Sequence, residues 1–240
     1  MNNKINRPVG QIIFAEVDAE PPVFLCHNEP MRDDELLDLL SSPERLRERI
    51  AERLQRTANR PLGLAAGDEG AREVRWPAAV LAPLVAGEEG PRVLLTRRTP
   101  HLVHHPGQIS FPGGRVEPED PGPVEAALRE TEEEIGLAPQ RVQVLGALPP
   151  YVTITGYRVT PLVGWVEDPG DLRPDPFEVA EVFTVPLEHV LDPRRYVRHS
   201  LIYGDQRRYY WAVPWRQYFI WGATAAMLRM FLELFRGKEE

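Results

Sequence analysis

The chain is poor in cysteine, in long apolar runs and in net positive charge, and each shortage excludes something. Its one cysteine, Cys26, cannot close an internal disulfide, which fits a reducing, cytoplasmic setting. The opening stretch MNNKINRPVGQIIF has neither a long apolar core nor a small-residue cleavage site, so no secretory signal is expected. The most apolar stretch, residues 218–235, is interrupted by Arg229 and Glu233 and reads as a largely buried helix, not a membrane span. Lys and Arg number 28 against 36 Asp and Glu, for a formal net charge of −8. A nucleic-acid binder would usually be basic, so no nucleic-acid partner is expected. An anionic substrate remains compatible, because a bound metal ion reverses the sign locally. Internal repeats and low-complexity tracts are missing too.

What is present fits one large domain with an appendage: 240 residues, 42% hydrophobic and 27% charged. Residues 1–75 read as an N-terminal helical extension and linker. They hold a short strand at 11–17, a helix over 33–57 and an irregular Pro/Gly/Ala stretch at 58–75. In the helix, Leu46, Ile50 and Leu54 recur at four-residue steps among Arg and Glu, giving one apolar stripe. Pro43 suits a first turn after Ser41 or Ser42. Residues 76–236 form the second unit. Strands are expected at 78–86 and 92–98 around a hairpin turn, then a loop at 99–113, a helix at 123–135, and strands at 142–148 and 157–166. A Pro/Asp-rich loop at 168–176 follows, then a short helix within 185–191, a strand at 208–213 and a closing helix at 217–235. Helices and strands without regular βαβ alternation predict an α+β fold with a mixed sheet. Trp221, Met227, Met230 and Leu234 suit either the core or a dimer interface, which leaves a homodimer open.

The helix at 123–135 carries the chemistry. Pro123 fits its first turn and Gly136 its stop. At about 100° per residue, Ala127, Leu128, Thr131 and Ile135 fall within about 60° of Val124, a face for docking on a sheet. Glu130, Glu133 and Glu134 share a separate arc that faces away from the core. Three clustered carboxylates repel one another, and a hard divalent cation such as Mg²⁺ or Mn²⁺ relieves that repulsion. Arg129, on the flank, is spaced to pair with Glu125 or Glu133 and hold a carboxylate in place. Just upstream, Phe111-Pro112-Gly113-Gly114 makes a tight turn whose glycines let backbone amides and carbonyls approach a ligand.

This segment resembles the Nudix box. Gly114 begins it, and Arg129-Glu130-Thr131-Glu132-Glu133-Glu134-Ile135-Gly136-Leu137 completes it. Asp120 stands where the box has its first Glu, the next spacer is one residue longer, and Thr131 replaces an aliphatic residue. The resemblance implies the Nudix α/β/α sandwich with a mixed β-sheet. It implies metal ligation by Glu130, Glu133 and Glu134, assisted by the Gly114 carbonyl, with Arg129 orienting a carboxylate. Leu94-Leu95-Thr96-Arg97-Arg98, Gly107 and Phe111-Pro112-Gly113-Gly114 are similar to the coenzyme A pyrophosphatase branch, as are Leu148-Pro149-Pro150, Thr155-Gly156-Tyr157, Val159-Thr160-Pro161 and residues 218–224. Thr99 and Val103 depart from that branch, which usually has Ser or Ala and Arg there; His104 or His105 is a neighbouring substitute for the Arg.

The expected reaction is hydrolysis of coenzyme A to 3′,5′-ADP and 4′-phosphopantetheine, with acyl derivatives open to the same route. Phosphoryl transfer of this kind needs mainly positioning and charge. Glu130, or Glu178 from a loop, is the candidate proton acceptor, and Glu133 and Arg129 complete the catalytic set. Arg97, Arg98, Gly113 and Gly114 are the candidate substrate contacts, with the arginines gripping the 3′-phosphate or the pyrophosphate. Tyr157 and Phe111 suit either adenine stacking or the core. His101, His104 and His105 suit a solvated or substrate-facing loop. Two alternatives stand beside this reading: a Nudix enzyme for another nucleoside diphosphate derivative, such as ADP-ribose or NADH, and a non-catalytic Nudix-like module.

Overall fold

The computed structural model describes residues 14–15, 33–59, 67–68, 74–102, 105–203 and 206–236. Most of the 11–17 strand, most of the 58–75 linker, Val103 and His104 lie outside the described residues. In chain order the elements begin with β1 (Phe14–Ala15), α1 (Asp33–Leu40), α2 (Pro43–Asn59), β2 (Trp76–Val85), β3 (Arg92–Arg98), β4 (Ile109–Ser110), β5 (Gly113–Arg115) and α3 (Pro123–Ile135). They continue with β6 (Gln143–Ala147), β7 (Tyr151–Val152), β8 (Tyr157–Val166), β9 (Val179–Pro186), α4 (Leu187–Leu191), β10 (Val197–Tyr203), β11 (Gln206–Trp215), β12 (Tyr218–Trp221) and α5 (Ala223–Arg236).

The main sheet runs β4-β3-β2-β8-β6, with β9 on β3, β5 on β2 and β7 on β8. It is mixed: β2 and β8 are parallel, with Trp76 opposite Tyr157 and Val85 opposite Val166, and the other pairs are antiparallel. Side chains alternate across a strand, so each strand feeds two layers. Ala79, Leu81, Leu94, Leu162 and Val166 face α3 and pack on Ala126, Ala127 and Ile135. Ala78, Leu84, Leu95, Val163 and Trp165 face the opposite way, onto α2, α4 and α5. The result is the α/β/α sandwich with a mixed sheet that the sequence led us to expect. A second, antiparallel sheet, β1-β10-β11-β12, adds Val213 and Ile220 to the α5 side.

The expected helix at 33–57 is broken: Ser41 and Ser42 separate α1 from α2, and Pro43 opens α2. Proline restricts the residue before it and lacks an N–H, so a helix does not continue smoothly through it. The stripe of Leu46, Ile50 and Leu54 is fully buried in the same cluster as the sheet residues, with Leu54 against Gly146 of β6. The closing helix starts later than expected. Residues 218–221 form β12, and Gly222, at φ 66°, turns the chain into α5. The aromatic and β-branched run Tyr218-Phe219-Ile220-Trp221 prefers a pleated surface, which its apolar character alone does not distinguish from a buried helix. β9 and β10 were not anticipated, and the 99–113 loop contains β4 and the start of β5. Among the described residues, no helix is long and apolar enough to cross a membrane.

The burial of α2 gives a direct check. Ile50→Ala is expected to destabilise the protein by about 2–5 kcal/mol, as for other buried aliphatic truncations. Denaturant unfolding that shows no loss would mean that α2 lies outside the cooperative core.

Candidate active site

The site is assembled at the end of the sheet where β2 and β3 splay and the β4–β5 connection enters between them. Gly113 and Gly114 pair with Val80 and Ala79 of β2. Gly113 has φ 142°, and a Cβ there would come within 2.4 Å of the Ala79 carbonyl oxygen, so only glycine fits. A Cβ on Gly114 would lie 2.5 Å from the carboxyl group of Glu130. The turn is therefore built to press backbone against the carboxylates of α3.

Those carboxylates are not equally exposed. The Glu133 side chain is 60% exposed, whereas Glu134 is 6% exposed and accepts a hydrogen bond from Gly113 N at 3.2 Å. The expectation that all three face away from the core is corrected for Glu134. It lies at the edge of the arc, only about 80° from the centre of the apolar stripe, and the strand turn covers it. Burial, above all, pushes the Glu134 carboxyl up to about 8; the Gly113 amide and Arg98 oppose this, and Glu178 and Glu130 reinforce it. Glu130 is also raised, first by burial, with Arg129 pulling it back.

Two arginines are interleaved with the acids. Arg129 Nε and Nη2 donate to the two oxygens of Asp120 at 3.0 and 2.9 Å, a bidentate fork. Its Nη1 donates to Glu130 at 3.1 Å and Glu133 at 3.0 Å. The expected Glu133 partner is found; the stronger one, Asp120, was missed, although its place in the box was a signal. Asp120 is itself fixed by the Glu117 amide at 2.8 Å, and the Arg129 hydrogen bonds, then that amide, hold its carboxyl below the ordinary value. Arg98 lies 3.6 Å from Glu134 and 3.6 Å from Glu178. Glu178 is thus brought to the site, on a loop that is closely stitched in place. Thr99 N donates to the Glu178 carbonyl at 2.9 Å, Thr99 Oγ1 to the Phe177 carbonyl at 2.7 Å, and Asp175 N to the Glu134 carbonyl at 2.9 Å.

Other expected contacts separate. Alternation along β3 sends Arg97 to the face opposite Arg98, where it pairs with Glu181 at 3.0 Å; Glu181 also accepts from Tyr218 OH at 2.6 Å. Phe111 is buried in the core, which removes it as an adenine contact. His101 packs on Phe177, with ring centroids 4.9 Å apart.

Three oxygen donors and a glycine turn suit a hard cation, which prefers oxygen ligands. A buried carboxylate whose acidity is weakened by burial would gain from one. Among the described residues, however, no three acidic or imidazole groups converge into a ready cage. Arg98 and Arg129 stand between the carboxylates and take up their oxygens. The residues fit a cation in kind, with the arginines as the groups that must share those oxygens.

A NUDIX domain model matches residues 75–204. The chain belongs to the Nudix family. It is similar to the uncharacterized Nudix hydrolase NudL of Escherichia coli K12, at 46% identity over 155 residues, covering 63% of this chain and 79% of the relative. NudL of Shigella boydii serotype 18 matches at the same identity and coverage. Among solved structures, the Nudix hydrolase RenU from M. smegmatis aligns with a TM-score of 0.42 and 26% identity, over 48% of this chain and 75% of its own. The C. elegans Ap4A hydrolase aligns with a TM-score of 0.44 and 18% identity, over 65% and 95%. The chain is a Nudix pyrophosphatase, and Nudix hydrolases generally require divalent metal cations.

Asp120→Ala is expected to lower turnover roughly 10–100-fold, the usual cost of losing a partner that orients a ligand. Turnover within about twofold of the native enzyme would deny Asp120 that positioning role.

Proposed function

We propose that the enzyme hydrolyses the pyrophosphate linkage of coenzyme A to 3′,5′-ADP and 4′-phosphopantetheine, with Mg²⁺ or Mn²⁺ as the cation. The observation that carries the pyrophosphate reading is the meeting of Arg98, Glu134 and Glu178 beside the Gly113–Gly114 turn. Coenzyme A as the substrate is supported by the motif residues of β3, the glycine turn and the segments around Tyr157 and Tyr218.

Glu130, Glu133, Glu134 and the Gly114 carbonyl would hold the cation. When bound, it supplies positive charge against the phosphate oxygens and acidifies water. The protein does the rest by position. Arg98, 3.6 Å from each of the two glutamates, is placed to turn its planar fork toward a phosphate. The Gly113 and Gly114 backbone lets the phosphates approach closely. Arg129, anchored on Asp120, keeps Glu130 and Glu133 aimed. Water attacks one phosphorus, the bridging P–O bond breaks, and the other phosphate leaves with the bond electrons. The attacking water's proton goes to Glu178. That side chain is partly exposed and sits on a loop fixed by Thr99, whereas Glu130 is engaged by Arg129. Arg97, on the other face, is the candidate for the 3′-phosphate. A non-catalytic module would have no use for the retained Arg-Glu-x-x-Glu-Glu core.

The test is product analysis with coenzyme A, ADP-ribose and NADH, each with Mg²⁺ or Mn²⁺. Coenzyme A is expected to be cleaved fastest, dephospho-coenzyme A more slowly, and Glu134→Gln to lose activity by on the order of 100-fold, as when a charge-stabilising group is removed. Preferential cleavage of ADP-ribose or NADH would overturn the coenzyme A assignment. Full activity in Glu134→Gln would overturn the site.

A further inference from the structure

We propose that Trp76, Arg115 and Tyr157 form a stacking platform for the purine base of the nucleotide substrate. The proposal rests on the reading of the substrate as a nucleotide pyrophosphate, but it assigns residues that the hydrolytic site leaves unused.

Trp76 opens β2 and Tyr157 opens β8, and the parallel register sets them opposite one another, so their rings share one face of the sheet. Arg115 pairs with Ala78, two residues along β2 from Trp76, and therefore reaches the same face. Its guanidinium carbon lies 4.5 Å from the centroid of the Trp76 ring and 5.6 Å from that of Tyr157. One of its nitrogens donates to the Tyr157 hydroxyl at 3.0 Å. The result is a layered arrangement of two aromatic rings and a planar cation.

Two features point to a ligand. The first is exposure: Trp76 remains 45% exposed. A large indole left in water beside a guanidinium offers a flat apolar surface next to positive charge, which matches a base carrying phosphates. The second is location. Arg115 directly follows Gly114, the residue pressed against Glu130, and its carbonyl accepts from Arg129 at 3.4 Å. Strand alternation sends Arg115 to the sheet face opposite the acidic cluster. A nucleotide bent around this end of the sheet would thus have its pyrophosphate at Gly114 and its base on the platform. Trp76 and Arg115 lie outside the segments that resemble the coenzyme A branch, whereas Tyr157 lies within one.

The test is calorimetric titration of the full chain, in Mg²⁺, with adenosine 3′,5′-bisphosphate and with inorganic pyrophosphate, which has no base. Trp76→Ala is expected to weaken the bisphosphate about tenfold and to leave pyrophosphate within about twofold, as the loss of one stacked base implies. Trp76→Phe, which keeps a ring, should retain most of the affinity, with thermal midpoints matching the native protein. In turnover the change should appear in KM and not in kcat. The proposal is overturned if Trp76→Ala binds the bisphosphate as the native protein does, or if it weakens both ligands equally. Trp76-dependent bisphosphate binding without hydrolysis of coenzyme A would remove the proposed function and leave the platform standing. Coenzyme A hydrolysis with an unchanged KM in Trp76→Ala would remove the platform alone.

Discussion

One guanidinium holds the acidic end of this molecule together. Arg129 is shared by Asp120, Glu130 and Glu133, all within 3.1 Å. Without it, four carboxylates counting Glu134 would crowd one end of α3, and their repulsion would oppose folding of that turn. The arrangement is asymmetric. Asp120 takes both prongs of the fork and anchors the arginine, so Glu130 and Glu133 receive single hydrogen bonds and keep oxygens for another cation. Arg98 does the same on the far side, lying between Glu134 and Glu178. The acidic cluster is thus kept folded by arginines that can each yield an oxygen or turn toward a phosphate.

The sheet makes this possible by alternation and by splaying. Successive residues on β3 send Arg97 and Arg98 to opposite faces, so one strand end serves both layers. Where β2 and β3 diverge, the β4–β5 connection enters, and the Gly113–Gly114 turn comes to rest on Glu134 and Glu130. The loop bearing Glu178 is tied to β3 through Thr99 and to α3 through the Glu134 carbonyl. Helix, turn and loop are therefore fixed relative to each other before any ligand arrives, which is what charge-based catalysis requires.

Much of this was legible in the sequence, for identifiable reasons. β3, α3 and β8 were placed to within a residue because strong periodicity coincides with turn or cap residues at both ends. β9 and β10 carry mixed polarity and were not, and β12 was absorbed into a helix because four apolar residues fit either period. At the site, spacing along α3 brought Glu130, Glu133 and Arg129 to the surface, but the shielding of Glu134 depends on a turn that only folding lays over it. Its loop suggests Glu178, but the backbone tie that fixes that loop, Thr99 N to the Glu178 carbonyl, follows from long-range pairing. The Trp76–Tyr157 juxtaposition comes from the parallel register of two strands about 80 residues apart in the chain. No local pattern encodes that register.

The carboxylates of α3, kept folded by Arg129 and Arg98, are proposed as a cation-dependent reaction centre. Titration of the protein with Mn²⁺, followed by the loss of free-ion electron paramagnetic resonance signal, measures this most directly. Saturable binding to the native chain is expected, with affinity lowered at least about tenfold in both Glu130→Gln and Glu134→Gln. Equal Mn²⁺ binding by the native protein and both variants would contradict it.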